Sequence, residues 1–167
     1  MTRAFRPETR VAVDAVGRAL DLARRRVGAD AITSKGGRDL VTATDVAVED
    51  AVRAMVSNSV GFPVVGEERG GEAPPDGSPY WLVDPICGTR NFASGSPLYC
   101  VNLALVEGGQ ITLAVVGDSS TGEIHVAERG GGAWATTGGS ARPLTTSGEN
   151  RTVVGEVGRG YKAVHNP

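Results

Sequence analysis

WLVDPICGTRNF, residues 81–92, is the stretch that decides how this chain is interpreted. Its apolar first half predicts a buried strand, and Asp84-Pro85 then fixes a turn, because proline restricts φ and donates no hydrogen bond. Gly88-Thr89 predicts the start of a helix, where backbone N–H groups, a hydroxyl and the positive helix end can face an anion. Cys87 lies between these two parts. The stretch therefore predicts a site for a metal ion and a phosphate, with a thiol in its middle.

The composition is that of a globular protein and excludes several classes of partner. The 167 residues, 40% hydrophobic and 22% charged, are enough for one domain with its own core, so we take 1–167 as a single domain. A net charge of −2 favours neither nucleic acid nor a membrane surface. No apolar run reaches the ~20 residues of a membrane span, and the N-terminus lacks the apolar core of a signal peptide. The two cysteines make no disulfide framework, so we expect the protein to work in the reducing cytoplasm.

Hydrophobic spacing predicts two helices followed by strands. Apolar residues three and four apart predict a helix over 7–27, and a second helix begins near Thr44. The segment between them is expected to be a loop. Glycine-marked turns separate the apolar runs 64–68, 80–86, 98–107, 110–119, 123–129 and 132–137. The polar remainder holds one more candidate strand at 152–157. This order predicts an α+β fold in which two N-terminal helices pack on an antiparallel meander sheet.

Acidic residues at the predicted strand and helix ends are candidates for metal binding. Carboxylates beside backbone carbonyls are what Mg²⁺ binds, because a small hard cation prefers oxygen ligands. The residues concerned are Asp45, Glu67, Glu68 and Asp84. The alternative is that they are solvated loop carboxylates. Their order around the 81–92 stretch favours the metal interpretation.

Four motifs in this order resemble the inositol monophosphatase family, the Mg²⁺-dependent, Li⁺-sensitive phosphatases of sugar and inositol phosphates. They are DLVTATDVAVE (39–49), VVGEE (64–68), WLVDPICGTRNF (81–92) and the segment from Gly95 to Trp134. The resemblance extends from about residue 7 to about 145 and leaves the tail 146–167 unassigned. It implies the fold of the family's N-terminal domain.

The resemblance also implies roles for individual residues. The metal ligands would be Glu67, Asp84 and the carbonyl of Ile86. Asp45 would lie near a third metal or the attacking water, which Thr89 and Glu68 would orient and activate. The phosphate would lie against the backbone of Gly88 and Thr89, with Arg90 close by. In such a site, two or three metal ions generate a hydroxide and stabilise the leaving oxygen.

Two departures from the family pattern put that activity in question. Cys87 occupies the position of the second aspartate in the signature Asp-Pro-Ile-Asp-Gly-Thr, and a soft thiol is a poor Mg²⁺ ligand. The family's second α/β domain carries a further aspartate in a Trp-Asp motif, whereas Trp81 is followed by leucine and Trp134 by alanine. We therefore expect the second domain to be absent from a naturally short chain that begins at Met1.

Three functions remain open on the sequence. The favoured one is a repurposed enzyme, without a cofactor, in which a Cys87 thiolate of lowered pKa attacks an acyl or similar small-molecule substrate. Its base could be His125, His165 or a nearby carboxylate, Asp84 or Glu67. The alternatives are a Mg²⁺-dependent phosphate monoester hydrolase and a non-catalytic pseudophosphatase or binding subunit.

Two further expectations follow from the predicted sheet. Cys100 lies in an apolar strand and is expected to pack in the core. A sheet that normally packs against a second domain would expose an apolar face, so we expect a homodimer or larger homo-oligomer.

Overall fold

The computed structural model describes residues 5–29, 33–36 and 39–146. These residues form two layers, with the helices packed on one side of a sheet. Helix α1 spans Pro7–Arg24, with proline in its first turn. Helix α2 spans Ala43–Val60. It begins one residue before the predicted Thr44, because Thr42 caps it by forming a reciprocal capping box with Asp45. Neither helix, nor any other among the described residues, is long and apolar enough to cross a membrane.

The sheet has seven strands in sequential order, and six of its strands form the predicted antiparallel meander. The strands are β3 (Val64–Gly66), β4 (Tyr80–Cys87), β5 (Cys100–Glu107), β6 (Gln110–Asp118), β7 (Ile124–Glu128), β8 (Gly132–Thr137) and β9 (Ser140–Leu144). A short helix, α3 (Thr89–Ala93), connects β4 to β5. The α+β class and the two-helix, one-sheet architecture are confirmed.

Three details differ from the predictions. Strand β3 pairs in parallel with β4, so the sheet is mixed, since the connection returns across the edge of the sheet. A small separate hairpin, β1 (Thr33–Gly36) and β2 (Asp39–Val41), occupies the predicted loop. Strand β9 was missed because its residues are polar and largely exposed. The candidate strand at 152–157 lies outside the described residues.

The core forms between the helices and one face of the sheet. Helix α1 packs on β5, β6 and β7, and α2 packs on β3 and β4. Side chains along β5 alternate, with Val101, Leu103 and Leu105 buried against the helices. The residues between them are half-buried on the opposite, outward face, with their counterparts on β4 and β6. This outward face carries the candidate site at one end.

Candidate functional site

A bulge in β4 sets the geometry of the candidate site. Asp84 is paired with Asn102 of β5, and Cys87 is paired with Cys100, so three steps along β4 match two steps along β5. The extra residue falls at Pro85-Ile86, where proline cannot donate to the ladder. Residues three apart in a regular strand point to opposite faces. The bulge instead places Asp84 and Cys87 on the same outward face.

A second cluster joins the start of α2 to the loop after β4. Asp45 is 1% exposed, and one of its carboxylate oxygens accepts hydrogen bonds from the backbone N–H and the hydroxyl of Thr42. The other oxygen lies 3.2 Å from the hydroxyl of Thr89, which is also 3.2 Å from the carbonyl oxygen of Ile86. Three residues that the sequence assigned to the site are therefore brought together: Asp45, Ile86 and Thr89.

Gly88 holds this loop in a conformation that other residues rarely adopt. Its φ is +108°, and a Cβ added here would lie 3.1 Å from the carbonyl oxygen of Leu98 and 3.2 Å from Tyr99 Cβ. The short helix predicted after it is present as α3, and Phe92 N donates to the Gly88 carbonyl. The Gly-Thr loop is thus built as the sequence predicts. Arg90, assigned to phosphate binding, has an exposed side chain.

Glu49 is an acidic residue that the sequence analysis missed. It is fully buried on α2, where it pairs with Arg53 at 2.8 Å and accepts the backbone N–H groups of Glu68 at 2.6 Å and Arg69 at 3.0 Å. It therefore holds the segment after β3, which carries both predicted carboxylates, against the helix. The i, i+4 spacing of Glu49 and Arg53 was the available signal.

The two predicted carboxylates after β3 occupy different environments. The backbone N–H of Glu67 donates to the carbonyl of Val83, the residue before Asp84, so the backbone of Glu67 lies next to β4. The side chain of Glu67 is exposed. Glu68 is half-buried. The resemblance pairs Glu68 with Thr89, whereas the Thr89 hydroxyl here is bonded to Asp45.

Cys100 is not in the core, and this prediction was wrong. It is half-buried on the outward face of β5, because its buried neighbour Val101 takes the inward position. Cys100 is the Cα partner of Cys87 across the two strands, and its thiol lies 3.6 Å from the side-chain oxygen of Asn102. Asn102 in turn donates to Asp84 at 3.3 Å. The alternation of buried and half-buried residues along β5 already indicated that Cys100 faces outward. Its pairing with Cys87 could not be predicted without knowing of the bulge in β4.

Comparison with known proteins decides the family. The profile of the "Inositol monophosphatase family" matches residues 5–165. The chain belongs to the inositol monophosphatase family. It is 36% identical over 138 residues to an inositol-1-monophosphatase of Mesorhizobium japonicum, covering 78% of this chain and 50% of that relative. It is 33% identical over 153 residues to inositol monophosphatase 1 of Solanum lycopersicum, covering 89% and 55%.

Solved inositol monophosphatase structures share the fold. The extragenic suppressor protein SuhB of Bartonella henselae has a TM-score of 0.76 at 29% identity, over 87% of this chain and 55% of that one. An IMPase of Thermotoga maritima has a TM-score of 0.73 at 26% identity, over 84% and 54%. The chain thus spans about half the length of the family members it matches. The resemblance to the family is confirmed, and the family match extends beyond the 7–145 first recognised, to residue 165.

The family's magnesium centre does not fit the residues of this site. One observation favours a cation: Asp84 Oδ1 is buried and has no hydrogen-bond partner among the described residues. The residue that would provide the next carboxylate is Cys87, whose thiol faces a second thiol, and Mg²⁺ demands oxygen ligands. Across residues 5–29, 33–36 and 39–146, no three Asp, Glu, His or Cys side chains are grouped to hold a metal.

The electrostatics of Cys87 are the opposite of those predicted. Partial burial of the thiol, followed by the charge of Asp84 and the contact with Cys100, raises the pKa of Cys87 to about 12. The expectation of a lowered pKa rested on the positive end of a helix and was wrong. Helix α3 has only five residues, and the carboxylate of Asp84, rather than a cation, is the charge that acts on the pKa of the thiol.

His125, one of the two predicted histidine bases, is too far from Cys87 to act on it. His125 lies on β7, three strands away from β4, which corresponds to roughly 14 Å across the sheet. Its Nε2 lies 3.4 Å from Glu123. His165 lies outside the described residues. The nearest group that could accept a proton from Cys87 is therefore Asp84.

Proposed function

We propose that this chain is a phosphate-ester-binding member of the inositol monophosphatase family that does not carry out Mg²⁺-dependent hydrolysis, the pseudophosphatase alternative of the sequence analysis. The observation that carries the proposal is the position of Cys87. The bulge in β4 aims its thiol at Cys100 on the same face as Asp84, where the family's signature has a second carboxylate. Exchanging this hard ligand for a soft one weakens Mg²⁺ binding.

Retention of a small-molecule phosphate ester as ligand is supported by the loop that follows. Gly88 keeps the left-handed conformation and the close approach to Leu98 and Tyr99. Asp45 and the carbonyl of Ile86 fix the hydroxyl of Thr89 from two sides. The related proteins from Mesorhizobium japonicum and Solanum lycopersicum are named for inositol phosphates, which makes inositol 1-phosphate the first ester to test.

A Cys87 nucleophile, favoured on the sequence alone, receives less support. A thiolate is the reactive species, and a thiol with a pKa of about 12 is almost entirely protonated at neutral pH. Asp84 could accept the proton, but its negative charge also disfavours the thiolate beside it. We therefore place ester binding ahead of acyl transfer at this site.

The hydrolase alternative is supported by one specific observation, the buried and unpartnered Oδ1 of Asp84. A single Mg²⁺ at this oxygen and the Ile86 carbonyl, with Glu67 beside them, would give a weak phosphatase. The two proposals differ in a measurable way, because only the second one predicts release of inorganic phosphate.

The test is binding and phosphate release measured on the same 167-residue chain. Calorimetry with inositol 1-phosphate is expected to give binding with and without Mg²⁺, and a phosphate-release assay is expected to give no turnover. The variant Thr89→Val should lose at least about tenfold in affinity, because it removes the hydroxyl that anchors the Gly88-Thr89 loop to Asp45, whereas Thr145→Val on the exposed surface should bind like the wild type.

Either of two outcomes would reject this proposal. Mg²⁺-dependent phosphate release that Thr89→Val abolishes would establish the hydrolase instead. Absence of binding across inositol, sugar and nucleoside monophosphates, with a folded chain by circular dichroism, would remove the ester-binding role altogether.

We further propose that the protein is a cytoplasmic homodimer. The outward sheet face is half-buried and largely apolar, and it carries a shallow cavity of about 280 Å³. Its apolar lining includes Leu82, Ala104, Ala114 and Val116. A contiguous apolar face of this kind is covered in most proteins, and a second copy of the chain is the occupant we propose.

A further inference from the structure

We propose that Cys87 and Cys100 form a two-thiol site for a soft monovalent cation of the Cu⁺ class. The two residues are Cα partners across β4 and β5, so their side chains are neighbours on the same face of the sheet. Both are free thiols, and they are the only cysteines of the chain. The pairing is a product of the bulge, since a regular β4 would turn one of these side chains to the other face.

The coordination chemistry of this pair selects the class of cation. Thiolate ligands select soft ions such as Cu⁺, whereas Mg²⁺ requires oxygen ligands. A d¹⁰ monovalent ion is satisfied by two sulfur atoms, and the Cys87–Cys100 pair offers two. Binding forms two S–Cu bonds and releases both thiol protons to water, and the oxidation state of copper does not change.

The surroundings of the two thiols suit a cation that enters from solvent. Cys87 is exposed and Cys100 is half-buried, so solvent reaches the sulfur pair at the end of the outward face that carries the candidate site. Asp84 approaches Cys87 and has a buried oxygen without a hydrogen-bond partner among the described residues, which adds negative charge beside the pair. Asn102 bridges Asp84 and Cys100 and keeps both in place.

This inference does not depend on ester binding, because neither sulfur belongs to the Asp45–Thr89 cluster. Its failure would leave the proposed function untouched, and inositol 1-phosphate binding is measured separately.

The test is a competition for Cu⁺ between the reduced 167-residue chain and a chromogenic Cu⁺ chelator under anaerobic conditions. The wild type is expected to hold one Cu⁺ per chain, with two sulfur ligands in its X-ray absorption spectrum and no displacement by excess Mg²⁺. Cys87→Ser and Cys100→Ser should each weaken retention by about a hundredfold or more, since even changes outside the ligand shell cost about 10–100-fold. His125→Ala, three strands away, is the matched control and should bind like the wild type.

Several results would overturn the inference. One is Cu⁺ retention that survives either serine substitution in a chain that is folded by circular dichroism. Another is a stoichiometry of one ion to two chains, which would place the sulfur atoms on different molecules. A third is a Cys87–Cys100 disulfide that reforms in air after each reduction and excludes Cu⁺, because the pair would then be a redox element.

Discussion

The hydroxyl of Thr89 lies 3.2 Å from the buried Oδ1 of Asp45, although 44 residues separate them in the chain. Asp45 also closes the capping box at the start of α2 through its other oxygen. The same carboxylate therefore stabilises a helix end and fixes the loop that follows β4. The loop and the helix are linked through this carboxylate, so removing the Thr89 hydroxyl should lower the free energy of unfolding of the whole domain.

Replacing Thr89 by valine keeps the shape of the side chain and removes its hydroxyl. Oδ1 of Asp45 would then be left buried without this donor, which should lower the free energy of unfolding by about 1–3 kcal/mol. Urea denaturation followed by circular dichroism measures this change. The exposed Thr145→Val should shift stability by no more than about 0.5 kcal/mol, and equal effects of the two variants would contradict the role of the Asp45 contact.

Glu49 is expected to be one of the most sensitive positions in the chain. The substitution Glu49→Gln removes a buried charge that Arg53 and two backbone N–H groups share. Breaking such a pair from one side should cost about 3 kcal/mol in unfolding free energy. The neighbouring Asp50→Asn also removes a carboxylate from an arginine pair, but that pair is on the surface, so little change is expected. A small effect of Glu49→Gln in urea denaturation would show that the segment after β3 is held by other contacts.

Two glycine-to-alanine substitutions should act in opposite directions. At Gly66, an added Cβ would lie 2.1 Å from Oε1 of Glu49, so Gly66→Ala must displace the buried carboxylate and should destabilise the fold by more than about 2 kcal/mol. At Gly17, in the middle of α1, nothing lies within 4 Å of the added Cβ. Gly17→Ala should therefore stabilise the chain by about 0.5–1 kcal/mol. Thermal unfolding of both variants measures the direction of each change in stability. Destabilisation by Gly17→Ala would contradict the expected gain from replacing a glycine inside α1.

The proposed homodimer makes a prediction about one outward-facing residue. Light scattering at micromolar concentration should give twice the 17.2 kDa of a single chain. Val116→Lys places a charge in the apolar lining of the outward face and should shift the mass to that of one chain. Ser57→Lys, on the exposed side of α2, should leave the dimer intact. A monomeric wild type would reject a second copy as the occupant of this face.

Most of the fold could be predicted because its periodicities are strong. The apolar spacing of α1 and the apolar runs of β5 and β6 are visible in the sequence, and these elements were predicted, although Cys100 on β5 was assigned to the wrong face. Strand β9 and the β1–β2 hairpin carry no such pattern, since they are short or largely exposed. The start of α2 was predicted to within one residue. Thr42 and Thr44 can both cap a helix, and only the bond between Thr42 and Asp45 shows which one does.

The site was less predictable than the fold because it depends on one irregularity. Motif order brought Asp45, Ile86 and Thr89 together correctly. The pairing of Cys87 with Cys100 arises from a single extra residue at Pro85-Ile86, which shifts the register of β4. A shift of one residue exchanges the faces of every side chain beyond it. Neither the cysteine pair nor the raised pKa of Cys87 can be read from spacing when the bulge is unknown.

The raised pKa of Cys87 gives stability a defined pH dependence. Burial and Asp84 move the pKa of this thiol from 9.0 to about 12. Between these values the unfolded chain releases the proton while the folded chain keeps it. The folded state then binds more protons, so stability falls as pH rises from 9 towards 12 and is unaffected by this group below pH 9. Burial also raises the pKa of Cys100, and its contribution has the same sign.

Urea denaturation at pH 8 and pH 10 measures this slope, and Cys87→Ser should make it shallower than in the wild type. Alkylation provides the second measurement. At pH 8 the thiolate fraction of Cys87 should be roughly a thousandfold lower in the native chain than in the unfolded one, so iodoacetamide should label this residue much more slowly before urea is added. Exposure of Cys87 to solvent does not change this expectation, because the protonation state of the thiol sets its reactivity. Faster labelling of Cys87 in the folded protein would instead reveal a native thiolate and restore the nucleophile hypothesis.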